Sequence, residues 1–511
     1  MQHSDETQRA ARREAARLDA KSVHGVALTW VDNAGLTRVK AVPTGRLAHV
    51  ATRGVGMSPV FDVYLVDDSI TTSPHIGGPD GDLRLVPDLE RLTVLAAQPG
   101  WAWAPVDRYD QQGRPYAACQ RLFARRMAQR AADRGIELRM GFETEWIVQR
   151  EGAYPWSGPA YGMARVVELS DYVDEVLRTL GAQGVEVLQI HPEYAAGQFE
   201  VSVAPADPVG AADLAVLVRE TVRAVSLRHG LTPLFGPAVE AGGVGNGGHL
   251  HLSLWREGRN LCRGGEGPFG MTGDSESFLA GVLDALPALL AIGAPTPASY
   301  LRLEPSHWAG VFQCWGLENR EAALRFITGA PDDPDGANAE VKCFDAAANP
   351  YLVTGAVIAA GLAGLEAGAR LPEPVQGDPA VTGGGAVDSG DGPAVRGRGT
   401  PNGETAQIGE TTAGGWGGRE AGSGPAGQGP GSEPAGRRAG TGGGRENAAS
   451  GPARLPRSLP EALEHFERSD LLREALGDAL FAAIAAVRRA ESELFAGRAP
   501  QQIADATRGR Y

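Results

Sequence analysis

The sequence predicts a soluble α+β protein in which a small β-rich region precedes a larger region of helices and strands. Of the 511 residues, 42% are hydrophobic and 22% are charged, which is typical of a globular chain with a sizeable core. Between residues 23 and 95, short strand patterns alternate with turns, and VHGVALTWVDNAGLTRVKAV has the form of a hairpin closed at Asp32-Asn-Ala-Gly35. From about residue 121, helical periodicity alternates with strand candidates.

Helices are expected in five segments whose apolar residues recur at the spacing of one helix face. These segments are 122–134, 170–180, 211–229, 278–292 and 471–495. A capping-box pattern from Ser458 to Glu461 predicts a further helix start. Residues 1–20 are expected to form a tail or a helix ahead of the first strand.

A glycine-rich segment at about 377–451 interrupts the second region. It holds 25 of the chain's 70 glycines and few large apolar residues. Such a composition buries too little surface to offset the entropy cost of ordering the chain. We therefore interpret the segment as a flexible insertion rather than as a domain.

Charge and cysteine usage exclude several classes of protein. The 48 Lys and Arg residues against 62 Asp and Glu residues give a net charge of −14, which is unsuited to binding nucleic acid. No uncharged apolar run reaches the roughly 18 residues of a membrane span, and the N-terminus lacks the apolar core of a signal peptide. The four cysteines form no CxxC pair, which argues against a zinc ribbon or a disulfide framework. We expect a cytoplasmic protein that binds neither nucleic acid nor membrane.

Four segments place polar side chains on one face of a predicted strand. In GFETEWIV two glutamates stand two residues apart, and the period of two in a strand directs both to the same side. GQFEVSV, GGHLHLSLW and NAEVKCFD repeat the pattern, and HPEYAAGQFE adds a glutamate upstream of its strand. The residues concerned are Glu143, Glu145, Glu193, Gln198, Glu200, His249, His251, Ser253, Glu340 and Lys342.

Each of these strands, taken alone, is compatible with a solvated polar face on a half-exposed sheet. Taken together, the four faces consist mainly of Glu and His, whereas a solvent face normally mixes Thr, Lys, Arg and Ser. If the strands share one sheet, five carboxylates and an imidazole converge, and their mutual repulsion requires cations. Carboxylate-rich ligand sets without thiolates favour Mg²⁺ or Mn²⁺ over zinc.

Three arginines form a second group of candidate functional residues. Arg302 lies in SYLRLEP, and Arg320 and Arg325 lie in ENREAALR. They serve either in surface ion pairs or in binding phosphate and carboxylate groups beside a metal site. The sequence has no P-loop and no GxGxxG after a strand, so a nucleotide would bind in another way.

At these residues the chain resembles the glutamine synthetase family. Six motifs occur in family order: FETEW, HPEYAAGQFE, GVGNGGHLHLSL, PTPASYLRL, ENREAALR and AEVKCFDAAANPYL. The resemblance extends from about residue 23 to residue 511 and is interrupted by the glycine-rich segment. It implies an N-terminal β-grasp domain at 21–115 and a catalytic domain at 116–511, whose curved antiparallel sheet is flanked by helices.

The resemblance also implies roles for individual residues. At least two Mg²⁺ or Mn²⁺ ions are implied, one held by Glu145, Glu193 and Glu200 and the other by Glu143, His249 and Glu340. The implied substrate contacts are His251, Ser253 and Arg325 for ATP, Gly245, Arg302 and Lys342 for glutamate, and the catalytic Arg320 beside the transferred phosphoryl group.

The chain departs from the ammonia-using members of the family at the amine site. Those members have a Glu on a mobile flap six residues after the arginine matched by Arg302, and here that position is Trp308, preceded by His307. They also have an Asp in a segment resembling GVGxD, where this chain has Ser58. Losing both acids removes the groups expected to hold ammonium and to accept its proton. Lys342, in addition, replaces an arginine that clamps a carboxylate.

These departures favour the family branch that joins glutamate to larger amines. Such an enzyme is an ATP-dependent ligase that activates the γ-carboxylate as an acyl phosphate and forms a γ-glutamylamide. Two alternatives remain: an ordinary glutamine synthetase that uses ammonia, and a non-catalytic family member with a structural or regulatory role. The resemblance further implies a homo-oligomer of stacked rings, a dodecamer, which binds glutamate, ATP and a small amine.

Overall fold

A computed structural model describes residues 2–156, 158–382 and 451–511 of the chain. These residues form one compact unit. Most of the glycine-rich segment, residues 383–450, lies outside the described residues, and its flexibility stays a prediction. The division into domains near residue 115 also stays a prediction.

The N-terminal part is a mixed sheet with a helix packed on it. Its elements are α1 (Gln2–Asp19), β1 (Gly25–Val31), β2 (Thr37–Pro43), α2 (Leu47–Arg53), β3 (Val55–Met57), β4 (Leu83–Pro87), β5 (Thr93–Val94) and β6 (Trp101–Tyr109). The strand order is β2-β1-β6-β4-β3 with β5 beside β6, and β1 and β6 run parallel. Leu47 and Val50 of α2 pack against apolar side chains of β1 and β4, as expected for the predicted β-grasp arrangement.

The predicted hairpin is confirmed by the pairing of β1 with β2. The two strands are antiparallel, and Val31 lies opposite Thr37 across the turn. Asp32 closes the turn because its Oδ1 accepts the N–H of Leu36 at 2.9 Å.

The second part is built around a larger sheet with helices behind it. Its elements up to the sheet's last strand are α3 (Gln120–Ala132), β7 (Glu137–Gln149), α4 (Met163–Glu168), α5 (Ser170–Ala182), β8 (Val187–Pro192), β9 (Gln198–Val203), α6 (Pro208–Arg228), β10 (Thr232–Leu234), β11 (Leu250–Arg256), β12 (Arg259–Asn260), α7 (Gly273–Gly293), α8 (Ser299–Arg302), β13 (Phe312–Leu317), β14 (Ala322–Ile327) and β15 (Asn338–Val341). The remaining helices are α9 (Pro350–Ala367), α10 (Pro379–Thr382), α11 (Leu459–Glu467), α12 (Asp470–Leu476), α13 (Asp478–Leu494) and α14 (Pro500–Thr507).

The strand order of the larger sheet is β13-β14-β15-β11-β7-β9-β8, with β10 beside β7 and β12 beside β11. Every pair along this order is antiparallel except β13 with β14, which is parallel. The long strand β7 pairs with β11 over its first half and with β9 over its second half. Strand β7 therefore changes its pairing partner between Phe142 and Glu143, where the predicted metal-binding pattern of this strand begins.

The four earlier predicted helices are confirmed as α3, α5, α6 and α7, and the helical run expected at 471–495 is confirmed as two helices, α12 and α13. Gly477 divides that segment into α12 and α13 because its φ of 76° lies outside the helical region. The helix start at Ser458 is confirmed, with the Ser458 side chain accepting the N–H of Glu461 at 3.4 Å.

Two described helices, α7 and α9, are long and apolar enough to span a membrane by length and composition. In each, 78% of the apolar window is buried inside the protein. The two helices pack against each other and against the apolar side of the larger sheet, in one core with Leu250, Leu252 and Leu254 of β11. Packing in this core accounts for their composition.

Candidate active site

The pairing of five strands brings the predicted polar faces together. Glu145 of β7 lies opposite Glu200 of β9, and His251 of β11 lies opposite Glu340 of β15. His249 comes just before β11, where its carbonyl accepts the N–H of Glu143 at 3.0 Å. The polar side of the sheet therefore holds a carboxylate cluster, which we define as Glu143, Glu145, Glu193, Glu200, His249 and Glu340.

One half of the cluster is organised around an imidazole. His249 Nδ1 lies 2.9 Å from Glu143 Oε2 and 3.2 Å from Glu340 Oε1. His251 Nε2 lies 3.1 Å from the other oxygen of Glu143. The structure thus brings together all three members of one predicted metal-ligand set and adds His251, which the sequence analysis assigned to ATP.

Cationic side chains surround Glu340 in this half. Lys342 Nζ donates to Glu340 Oε1 at 3.0 Å, and Arg325 Nη1 donates to Glu340 Oε2 at 3.1 Å. Although burial opposes ionisation of Glu340, the Lys342 ammonium and the nearby imidazoles hold the pKa of this carboxyl well below its usual range. Lys342 therefore faces a cluster carboxylate, in addition to any role in binding glutamate.

The other half of the cluster has less compensating charge. Glu193 and Glu200 flank His191, whose ring nitrogens lie 3.3 Å and 3.5 Å from their oxygens. Burial, together with the neighbouring Glu145 carboxylate, raises the pKa of Glu193 to about 7. Burial likewise raises the pKa of Glu145. A bound cation would lower the cost of keeping these carboxyls ionised.

The donor set fits divalent metal ions. One carboxylate or imidazole donor atom from each of Glu143, His251 and Glu340 lies within 4.8 Å of the others, and the same holds for His191, Glu193 and Glu200. His251 Nε2 and His191 Nδ1 each point at a carboxylate oxygen of their own set, 3.1 Å from Glu143 Oε1 and 3.3 Å from Glu193 Oε1, so a metal ion would share these oxygens with an imidazole nitrogen. Oxygen-rich sets with imidazole suit Mg²⁺ and Mn²⁺.

The two halves are adjacent, because His249 Nε2 lies 3.9 Å from Glu145 Oε1. Gly247 makes this closeness possible. A Cβ atom at residue 247 would lie 2.5 Å from His249 Nε2 and 2.7 Å from Glu145 Oε1. The backbone at Gly247 therefore leaves room at the junction of the two halves only because it has no side chain.

The predicted glutamate-binding residues lie beside this junction. Arg302 is 5% exposed and its Nη2 lies 3.0 Å from His249 Nε2. Its Nη1 is buried and has no hydrogen-bond partner among the residues that the structure describes. Gly245 packs on the Arg302 side chain, and its carbonyl accepts from Gln198 Nε2 at 3.0 Å. The unpaired guanidinium nitrogen is suited to binding a carboxylate of a substrate.

The predicted ATP-binding residues lie farther along the same strands. His251 Nδ1 contacts Asn338 Oδ1 at 2.8 Å, and Ser253 accepts from Trp255 Nε1 at 2.9 Å. Arg325 donates to Glu340 through Nη1 and to Glu318 Oε2 through Nε, the latter at 3.1 Å. Only Arg325 and His251 of this group contact the carboxylate cluster directly.

The predicted amine-site residues are not brought into the cluster by any hydrogen bond or ion pair in the described part of the chain. Ser58 accepts the N–H of Val60 in its own turn at 3.2 Å. His307 and Trp308 are exposed on the loop after α8. Arg320 is also exposed, and its Cζ lies 5.9 Å from the centroid of the Trp308 ring.

Sequence reasoning missed two residues that contact the cluster. His191 lies opposite Glu200 across the β8–β9 pair, and the only sequence signal was its position two residues before Glu193. Tyr161, whose hydroxyl donates to Glu193 Oε1 at 2.5 Å, comes from a loop ahead of α4. No local pattern identifies it, because the contact depends on the path of that loop.

Metal affinity is expected to rise with pH up to about 7 because of Glu193. A carboxyl at Glu193 with a pKa of about 7 keeps its proton below that pH in the metal-free protein, and a bound ion must displace it. For one displaced proton, the affinity for Mn²⁺ rises about tenfold per pH unit below pH 7 and levels off above it. Titration calorimetry with Mn²⁺, in two buffers of different ionisation enthalpy, measures both the affinity and the number of protons released. An affinity independent of pH, with no proton released, would contradict this.

Comparison with known proteins places the chain in a family. A family profile described as "Glutamine synthetase, catalytic domain" matches residues 117–384. The chain belongs to the glutamine synthetase family. Ligases of this family use ATP and divalent metal ions.

Individual relatives are consistent with this assignment. The chain is 50% identical over 505 residues to the gamma-glutamylpolyamine synthetase GlnA3 of Streptomyces coelicolor, covering 97% of this chain and 96% of that one. It is 27% identical over 379 residues to a glutamate–isopropylamine ligase of Pseudomonas sp, covering 71% and 82%. A solved structure described as a novel glutamine synthase homolog matches 96% of this chain and 99% of its own length, with a TM-score of 0.76 and 28% identity.

Proposed function

We propose that this protein is an ATP-dependent ligase that activates the γ-carboxylate of glutamate as an acyl phosphate and joins it to an amine. The product is a γ-glutamylamide. We choose an amine over ammonia because of the flap position. The exposed Trp308 occupies it, where the ammonia-using members have a glutamate. An exposed indole neither holds ammonium by charge nor accepts its proton.

The other predicted ammonium ligand is missing in this chain as well. Asp62, the acid nearest to Ser58 in the sequence, is fully buried and binds Arg108 Nη1 through both oxygens at 2.8 and 3.0 Å. Gln120 Nε2 donates to the same carboxylate at 3.1 Å. With this carboxylate engaged, Asp62 is unsuited to replace the acid that Ser58 lacks.

Positively charged groups of the site bind the negative groups of the substrates. Arg302, with its unpaired Nη1, binds a carboxylate of glutamate and orients the molecule against the cluster. Arg325, next to Glu340, and Arg320, on the exposed loop, offset the negative charge of the phosphoryl group. Two or more Mg²⁺ or Mn²⁺ ions held by the carboxylate cluster would neutralise charge on ATP and on the acyl phosphate.

For the amine we propose a polyamine or a diamine. The support is the 50% identity to a protein named a gamma-glutamylpolyamine synthetase over 97% of this chain. We further propose a homo-oligomer of stacked rings, a dodecamer as in the resemblance, and a cytoplasmic location. All four cysteines, Cys119, Cys262, Cys314 and Cys343, are free and buried, which is compatible with a reducing compartment.

Glutamate activation is tested by trapping with hydroxylamine. Purified protein with ATP, Mg²⁺, glutamate and hydroxylamine is expected to form γ-glutamyl hydroxamate, because this small, largely neutral nucleophile needs no flap acid. A panel of spermine, spermidine, 1,4-diaminobutane, isopropylamine and ammonium then identifies the amine. We expect kcat/KM for the polyamines to exceed that for ammonium by about 10²-fold or more.

The alternatives give different results in the same assay. A preference for ammonium would identify an ordinary glutamine synthetase. Folded protein that forms neither hydroxamate nor ADP would indicate a non-catalytic family member and would contradict the proposed function.

A further inference from the structure

A cavity of about 530 Å³, open to solvent, is lined by the loop that holds Trp308. Its walls include Trp308, Glu318, Arg320 and Glu321, together with Asp378 from the segment that follows α9. Three carboxylates and one guanidinium therefore face a space that is large enough for an alkylamine chain.

Glu321 is the wall residue that has a buried carboxylate oxygen without a hydrogen-bond donor among the described residues. Its side chain is 8% exposed, and Oε1 accepts the N–H of Trp308 at 2.9 Å. Its second oxygen, Oε2, is buried and has no hydrogen-bond partner in the described part of the chain. Leaving such an oxygen unpaired is costly, and a cation bound in the cavity would offset that cost.

The neighbouring charges differ from Glu321 in this respect. Glu318 is held by Arg325, whose Nε donates to it at 3.1 Å. Asp378 Oδ1 accepts the N–H of Ala380 at 2.9 Å. Burial and, to a smaller extent, the Asp378 carboxylate raise the pKa of Glu321, against the opposing effect of the Trp308 and Ser306 N–H groups. Arg320 Cζ lies 5.9 Å from the centroid of the Trp308 ring, and under the proposed function its guanidinium offsets the charge of the phosphoryl group.

The loop itself is held in an unusual backbone shape. Ser306 and Trp308 have φ angles of 62° and 53°, in the left-handed region that non-glycine residues seldom adopt. The hydrogen bond from Trp308 to Glu321 holds this shape, and Tyr194 contacts the Trp308 ring edge-on at 5.4 Å between centroids. Trp308 and Glu321 therefore line the same cavity, joined through the Trp308 backbone.

We propose that this cavity binds the second, non-reacting ammonium group of a diamine or polyamine, with Glu321 as its counter-charge and the Trp308 ring beside its alkyl chain. The inference rests on the proposed function and names the subsite that selects its substrate. The reacting amine must be neutral to attack the acyl phosphate, whereas the other end of the same molecule stays protonated at neutral pH. A buried carboxylate next to an indole face recognises that charged end and discriminates against a monoamine of equal length.

The test compares 1,4-diaminobutane with n-butylamine, which have the same chain length and differ by one cationic group. In Glu321→Gln the remaining Oε1 still accepts the Trp308 N–H, so the loop keeps its anchor while the charge is lost. We expect kcat/KM for the diamine to fall about tenfold or more through KM, whereas the value for n-butylamine stays within about threefold. Hydroxamate formation is expected to stay unchanged because hydroxylamine has no second cation.

Two further variants complete the experiment. Glu304→Gln changes an exposed carboxylate of the same loop that pairs with Arg454 at 3.2 Å outside the cavity, and the diamine-to-monoamine ratio is expected to stay at the wild-type value. Asp378→Asn is expected to lower that ratio by a smaller factor, and it tests the subsite independently if Glu321→Gln fails to fold.

The outcomes separate this inference from the proposed function. Wild-type hydroxamate formation together with an unchanged ratio in both cavity variants overturns the inference and leaves the ligase assignment intact. Equal losses with both amines also overturn it, since Glu321 would then serve the loop or the reacting amine. Absence of hydroxamate from the folded wild-type protein overturns the proposed function and the inference with it.

Discussion

Glu340→Gln is expected to lower kcat/KM for γ-glutamyl hydroxamate formation by about 10³-fold. Glu340 is 1% exposed and contacts His249, Lys342 and Arg325 at 3.0 to 3.2 Å. Removing its charge takes away a predicted metal ligand. It also leaves the buried Lys342 ammonium without its carboxylate. Lys342 and Arg325 would then both face the site of a metal ion without a negative charge between them.

The same change is expected to destabilise the protein. Breaking a buried ion pair by removing one partner costs about 3 kcal/mol, because Lys342 must then lose its proton or stay charged without compensation. Thermal unfolding measured beside activity separates the two effects. Mn²⁺ titration of the folded variant is expected to show weakened binding.

A matched control is Glu257→Gln, at the exposed turn between β11 and β12 of the same sheet. Its side chain is 79% exposed and pairs only with Arg259 at 3.3 Å in the described part of the chain. Activity within about twofold of wild type is expected there. Retention of more than about a tenth of wild-type activity by Glu340→Gln would contradict its assignment to the metal site.

Gly247→Ala is expected to lower kcat/KM by about 10²-fold while leaving the fold intact. The added methyl group would lie 2.5 Å from His249 Nε2, 2.7 Å from Glu145 Oε1 and 3.0 Å from Arg302 Nη2. All three groups must move, and displacing catalytic groups by about 1 Å suffices for a loss of this size. The strain is expected to cost about 1–2 kcal/mol of stability.

The control for Gly247→Ala lies four residues earlier in the same loop. A Cβ at Gly243 would meet only Glu240 atoms at 3.4 and 3.7 Å, which is close to ordinary contact. Gly243→Ala is therefore expected to keep activity within about twofold. Hydroxamate assays and thermal unfolding of the two variants check the prediction, and equal activities would show that the junction tolerates a side chain.

Much of the candidate site was predictable because strand periodicity is local. Glu143 and Glu145 share a face whatever the strand pairs with, and the same holds for His249 with His251 and for Glu340 with Lys342. The hairpin at Asp32 and the capping at Ser458 are local as well. Their geometry depends on residues within a few positions of one another.

Interactions between distant segments were not predictable in this way. His191 reaches Glu200 through the register of β8 against β9, which includes an irregularity between Val187 and Gln189. Glu321, just before β14, accepts the N–H of Trp308 from the loop after α8, and no local pattern predicts that contact. A one-residue shift in the β8–β9 pairing would turn His191 to the opposite face.

The sequence by itself determined the chemistry of this protein: the identity of the carboxylates, imidazoles and arginines, and the absence of an acid at Trp308 and Ser58. The tertiary structure alone decided their partners, placing Lys342 on Glu340, His191 between Glu193 and Glu200, and an unpaired carboxylate oxygen of Glu321 beside a cavity. The physical reason is that side-chain direction follows from backbone period, whereas pairing, burial and the resulting shifts in pKa arise from contacts between strands far apart in the chain.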